Sequence, residues 1–301
     1  MNSPRVAVVT PARDEEANLP RLIEAMTSQD LQPVRWTIVD TGSCDATLQI
    51  ALAAAERHPW IEVVSLPGGP RERGAPIVRA IELVADRLSD HPPELLVNVD
   101  ADVSFDPHFL RALSIAFDAD PALGIASGTC YERAAGAWRE RFVTGTSAWG
   151  ATRAYRWDCL TTVRPLEPRF GWDGIDELRA RARGWSTCTL RDLPFRHHRA
   201  EGAGDLPWRG FAAQGSTAHF MGYRHSYLLL RALHHARRDP SALAMYAAYV
   251  GCALTRKPRL DDEQARAYLR RQQTLRQLGH RSREARGAAT TLSRSRSAAR
   301  P

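Results

Sequence analysis

Leu95-Leu96-Val97-Asn98-Val99-Asp100-Ala101-Asp102 is the stretch on which the fold turns. Its first five residues, apolar except for Asn98, read as a buried strand, and that strand runs straight into two carboxylates. Side chains two apart on an extended segment share one face, so Asp100 and Asp102 can meet the same ligand. Hard divalent cations take such oxygens and keep positions open for phosphate, as when Mg²⁺ or Mn²⁺ holds a nucleoside diphosphate. The competing reading of Asp102 is a solvated loop acid. Asp106, next to Pro107, reads as the N-cap of a helix from Pro107 to Phe117.

Upstream, the same unit recurs. Arg5 to Thr10 is a β-rich run, and Asn18-Leu19-Pro20 opens a helix with Leu22, Ile23 and Met26 on one face. Trp36 to Val39 is a second strand, Asp40 to Asp45 a polar turn, and Ala46 to Arg57 a helix. Ile61 to Leu66 and a helix from about Ile77 to Leu88 follow. Strands alternating with helices predict an α/β fold, a mostly parallel sheet covered on both faces, with ligands beyond the carboxyl ends of its strands. That rule places Asp14, Glu15 and Glu16, then Asp40, then Asp100 and Asp102 along one rim. The chain lacks a Gly-x-Gly-x-x-Gly turn and a Walker lysine motif, and its single lysine is Lys257, which argues against dinucleotide-dependent hydride transfer and P-loop hydrolysis.

The 301 residues are 44% hydrophobic, enough for a full core. Neither a signal peptide nor a membrane-spanning run is evident, so a cytoplasmic protein is expected. Five scattered cysteines without a Cys-x-x-Cys pair point to reduced thiols. Forty arginines against one lysine suggest a bacterial source. Beyond Ala126 the composition changes: Trp138, Trp149, Trp157 and Trp172 suit either an acceptor-binding half or a core. Helices are expected over 206–279; their apolar runs Tyr227 to Leu230 and Met245 to Val250 either pack on the body or lie flat on a membrane at its inner face. Residues 280–301 read as a disordered basic tail.

Three segments in order, Val8 to Glu16, Val39 to Thr47, and Asp100-Ala101-Asp102, resemble the family 2 glycosyltransferases over about residues 5 to 200. The resemblance implies the GT-A fold, with a nucleotide half over about 1–125 and an acceptor half over about 126–205. It also implies inverting transfer of a single sugar from a nucleotide-sugar donor to a glycan or glycolipid acceptor with Mg²⁺ or Mn²⁺, and no nucleic-acid partner. By the same matching, Pro11, Arg13 and Glu15 border the nucleobase, Asp40 and Gly42 contact base or ribose, Asp100 is the ribose-side acid and Asp102 the metal ligand. The family's catalytic base is the Asp of a Glu-Asp pair ahead of a Gly-aromatic pair. Here Asp173 stands at that distance before Gly184-Trp185, with Trp172 in place of the Glu and Asp176 as the alternative base. Asp173 also reads as an N-cap. In His197-His198, His198 is the candidate third metal ligand, with His197 the alternative. The processive synthases' Gln-x-x-Arg-Trp signature is missing, which favours single additions. Two other functions compete with this reading: a sugar-1-phosphate nucleotidyltransferase, which normally has a Gly-rich basic first loop, and a non-catalytic polyanion-binding module.

Overall fold

A computed structural model describes residues 5–70, 72–134, 136–141, 146–199 and 206–274. The expected tail at 280–301 lies outside the described residues. The chain divides into two compact units, Met1–Glu201 and Gly202–Pro301.

The first unit runs β1 (Val6–Ala12), α1 (Leu19–Thr27), β2 (Arg35–Asp40), α2 (Thr47–Arg57), β3 (Ile61–Ser65), α3 (Ala75–Leu88), β4 (Leu95–Val99), β5 (Val103–Phe105) and α4 (Phe109–Ala119). It continues with β6 (Leu123–Ala134), β7 (Ala137–Glu140), β8 (Thr152–Arg156), α5 (Trp157–Val163), α6 (Trp172–Ala182) and β9 (Ser186–His197). The sheet order is β3-β2-β1-β4-β8-β6-β9-β5, with β7 on β6. The four strands β3, β2, β1 and β4 are parallel, as alternation with helices requires. Past β4 the sheet is mixed: β8 is antiparallel to β4 and β6, and β9 is parallel to β6.

Alternation within β1 shows how the layers form. Val6 and Val8 enter a core with Leu22, Ile38 and Leu113, whereas Ala7 and Val9 enter a second core with Ile81, Val84 and Leu160. Both faces are therefore covered, and the central strands carry no polar face. Each Val or Leu removed from water there contributes about 1.5–3 kcal/mol before the entropy of ordering is counted. The chain leaves β1 for β2 and β3 on one side and returns to β4 on the other. The carboxyl ends of β1 and β4 thus flank the point where strand order reverses, which is where ligands bind in such sheets.

Two helix caps differ from the sequence expectation. Helix α4 begins at Phe109, not Pro107, with His108 at the N-cap. Asp106 does not cap it by its side chain; the Oε1 of Gln29 accepts from Leu110 N at 3.0 Å and does that work. Gly171 with φ 79°, not Asp173, is the N-cap of α6.

The second unit comprises α7 (Pro207–Met221), α8 (His225–Ala236), a 3₁₀ turn at Pro240–Ala242, α9 (Leu243–Leu254) and α10 (Glu263–Gln272). Ala218, Leu228, Met245 and Tyr249 form its core. Helix α9 lies so close to α7 that a Cβ on Gly215 would stand 1.9 Å from Met245 O. No helix among the described residues is long and apolar enough to cross a membrane.

Candidate active site

The loops after β1 and β2 are laced together. Asp14 N donates to Ser43 Oγ at 3.0 Å, Cys44 N to Asp14 Oδ1 at 2.8 Å, and Ala46 N to Glu16 Oε2 at 3.0 Å. Asp14 and Glu16 are engaged in that lacing. Glu15 is buried instead, its backbone N–H held by Thr47 Oγ1 at 2.7 Å. Arg13 Nη1 donates to Gly69 O at 2.7 Å and so ties in the loop after β3, while its buried Nε finds no partner among the described residues. Gly42, at φ 87°, approaches the same loop so closely that a Cβ would lie 2.3 Å from Gly68 Cα. Pro11, Arg13, Asp40 and Gly42 therefore share one corner. Asp40 is buried and accepts from Gly42 N at 3.3 Å, Ser43 N at 3.2 Å and Ser65 Oγ at 3.4 Å, a local turn that also fixes its carboxylate.

The second corner follows β4. Asn98 Nδ2 donates to Asp100 Oδ1 at 3.1 Å and to Gly150 O at 2.8 Å. His197 Nε2 lies 3.1 Å from Asp102 Oδ1, and its Nδ1 lies 3.6 Å from Glu132 Oε1. Arg199 Nη2 pairs with Glu15 Oε2 at 2.6 Å, and its Nε stands 3.7 Å from Asp102 Oδ2. Burial, then the charge of Asp102, pushes Asp100 up to about 6. Burial also raises Glu15. Burial alone lowers His197, but its hydrogen bonds to Asp102 and Cys130, with the charges of Asp102 and Asp100, raise it to about 11. The cluster is thus acids crowded together and offset by an imidazolium and a guanidinium.

His198 is the expectation that fails here. Its Nε2 meets Ser104 Oγ at 2.8 Å and its ring stands edge-on to Trp138 at 5.2 Å, whereas the ligand atoms that gather with Asp100 and Asp102 are those of His197. Successive residues on a strand face opposite ways, and His197 holds the register position opposite Val103 and Glu132. Asp176 must be corrected too. It is buried, takes Arg153 Nη2 at 2.5 Å and Nε at 3.1 Å, and accepts from the Tyr155 hydroxyl. Such a carboxylate has no path to an acceptor proton.

Asp173 is placed differently. It lies in the first turn of α6, partly exposed, with Oδ1 accepting from Gly174 N at 3.0 Å. A Cβ on Gly150 would come within 3.9 Å of Asp173 Oδ2, and Gly150 O is the acceptor that orients Asn98 beneath Asp100. The Gly150 backbone therefore joins the Asp173 turn to the β4 corner. Arg153, fully buried, fastens that turn from below by donating to Asp173 O at 2.7 Å and Ala148 O at 2.7 Å. Burial opposes its charge, but Asp176 and the other groups around it hold the guanidinium well above its ordinary range. Trp172, where the family has Glu, is buried with its ring 5.6 Å from the Arg153 guanidinium. Arg153 and Arg199 had no sequence signal, since both matter through partners far along the chain. The side of the strand on which His197 lies was legible in strand parity.

Asp100, Asp102 and His197 each offer a ligand atom, all within 4.8 Å of one another. Two carboxylates and a histidine suit Mg²⁺ or Mn²⁺: a cation offsets the burial and the Asp102 charge that lift Asp100, and His197 would ligate by giving up its ring proton. The residues present therefore fit a divalent ion.

The family model described as Glycosyl transferase family 2 matches residues 7–165. No curated protein sequence matches significantly. Among solved structures, the mannosyltransferase PcManGT from Pyrobaculum calidifontis, in complex with GDP-Man and Mn²⁺, superposes with TM-score 0.55 at 18% identity, over 97% of this chain and 81% of that one. TarS from S. aureus gives TM-score 0.53 at 16% identity over 72% of this chain; the match spans only 40% of TarS. Glucosyl-3-phosphoglycerate synthase from Mycobacterium tuberculosis, in complex with Mn²⁺, UDP and glucosyl-3-phosphoglycerate, gives TM-score 0.51 at 18% identity over 71% of this chain and 78% of that one. At these identities the likeness speaks for the fold.

Proposed function

The chain belongs to glycosyl transferase family 2, and from that premise we propose that it transfers a single sugar, with inversion, from a nucleotide-sugar donor to the hydroxyl of a glycan or glycolipid acceptor. The observation that carries the proposal is the convergence of Asp100, Asp102 and His197 beside the backbone that abuts Asp173. In this reading residues 1–125 form the donor half and 126–205 the acceptor half. Pro11, Arg13, Asp40 and Gly42 receive the base and ribose, with Arg13 Nε, which has no partner among the described residues, as a donor to them. Asp100 faces the ribose and Glu15 closes the rim.

Asp102 and His197 would hold Mg²⁺ or Mn²⁺, a reading supported by the Mn²⁺ complexes of two structural neighbours. When bound, such an ion neutralises charge on the leaving diphosphate. Asp173 takes the proton of the acceptor hydroxyl on the face opposite the leaving group, and Arg153 holds its turn in place. The five free thiols fit a reducing compartment.

The test is a panel of UDP-, GDP- and dTDP-sugars with Mn²⁺ and glycan or glycolipid acceptors. Asp173→Asn should retain donor binding and lose turnover by about a thousandfold, whereas Asp102→Asn should lose both. Undiminished turnover in Asp173→Asn would remove that residue from the mechanism.

A further inference from the structure

Helix α9 is the anomaly of the second unit. Over Leu243–Leu254 it carries no charged side chain. Met245 and Tyr249 point into the core, and the opposite side presents Leu243, Ala247, Gly251 and Leu254, spaced three to four residues apart as a single stripe. Leu243 is 48% exposed and Leu254 79%. A helix that merely faces water carries polar residues there. Helix α10 of the same unit does so, burying Ala265 and Leu269 and exposing Glu263, Gln264, Arg270 and Arg271. Leu230 and Leu233 of α8, which packs on α9, are 48% exposed as well.

The ends of the stripe identify its occupant. Arg237 and Arg238 precede α9, and Arg256, Lys257 and Arg259 follow it, with Arg256 at φ 50° turning the chain at the helix end. No acid lies between Asp239 and Asp261, and Asp239 is tied to Ser241. An apolar stripe bracketed by cations matches the acyl boundary and headgroups of an anionic bilayer. At 1.5 Å per residue the helix is about 18 Å long, too short to span but long enough to lie flat. A second copy of the chain is a poorer occupant, because antiparallel stripes would set Arg237 and Arg238 against Arg256 and Lys257. The chain's own residues 275–301 hold seven arginines and one acid, and would meet the same repulsion.

We propose that the exposed stripe of α9, with the basic residues at its two ends, docks this protein on an anionic lipid surface. This requires no donor turnover and stands apart from the transfer reaction.

The experiment is flotation of the full chain with vesicles of phosphatidylglycerol and phosphatidylcholine in equal parts, and with phosphatidylcholine alone. The full chain should float with the mixed vesicles and stay behind with the neutral ones, and rising salt should release it. Leu243→Glu with Leu254→Glu should lower the partition coefficient about tenfold or more, as should Arg256→Gln with Lys257→Gln. All four positions are exposed, so an unchanged thermal midpoint will show that each variant is folded. The proposal is overturned if the natural chain fails to float. It is equally overturned if the leucine variant floats as well as the natural chain, which would assign binding to residues 275–301. A doubling of mass in light scattering, abolished by the leucine changes with no flotation, would give the stripe to a second copy instead.

Discussion

Replacing Arg153 by methionine should destabilise the first unit by about 4 kcal/mol. The guanidinium is 0% exposed and donates to Asp176, Asp173 O and Ala148 O, with Glu177 3.4 Å away. Removing it leaves the Asp176 and Glu177 carboxylates buried without their shared cation. Breaking one side of such a pair costs about 3–5 kcal/mol, and each orphaned carbonyl adds roughly 1 kcal/mol. Replacement by methionine recovers some packing, which sets the net figure. Tryptophan fluorescence in urea reads the right unit, because Trp208 is the one tryptophan beyond residue 201. The midpoint should fall by roughly 1–2 M. Adding Asp176→Leu to Arg153→Met should restore at least half the loss, since the uncompensated charge then disappears. A single-variant cost under about 1 kcal/mol, or a double variant no better than the single, would refute the reasoning.

Asp100 supplies a pH test. Its folded-state value of about 6 lies above the ordinary 3.8, so the folded protein binds this proton more tightly than the unfolded chain. The stability it contributes is full below about 4 and is lost as pH rises toward 6 and beyond. In metal-free buffer Asp100→Asn should therefore gain thermal midpoint relative to the natural chain from pH 4 to 7, and a pH-independent difference would contradict the shift. His197→Ala should weaken Mn²⁺-dependent nucleoside diphosphate binding about tenfold or more, and His198→Ala should leave it nearly unchanged; calorimetric titration will show the order. Gly42→Ala should cost at least about 2 kcal/mol in urea unfolding, given φ 87° and the 2.3 Å approach to Gly68; a neutral outcome would mean the loop shifts freely.

What the sequence makes legible here is local or periodic. The parallel half of the sheet follows from strand-helix alternation, and the acid-bearing rim follows from where those strands end. Strand β8 was invisible because its place between β4 and β6 is decided by pairing across more than fifty residues of chain. With β8 went Arg153, whose carboxylate partners, Asp176 and Glu177, sit on α6. The start of α4 was misread because the group that caps it, Gln29, comes from the loop after α1, some eighty residues earlier in the chain. The choice between His197 and His198 was open to sequence reasoning, since it is a question of strand parity, but only once β9 extends through His197. Asp176, the alternative base three residues after Asp173, belongs to the interior, because position along the sequence carries no information on burial.

Calorimetric titration of nucleoside diphosphates into the full chain, with and without Mn²⁺, tests the central claim most directly. Binding of at least one of UDP, GDP or dTDP should require Mn²⁺ and vanish in Asp102→Asn. Affinity that is indifferent to Mn²⁺, or intact in that variant, would contradict a donor site built on the carboxylates after β4.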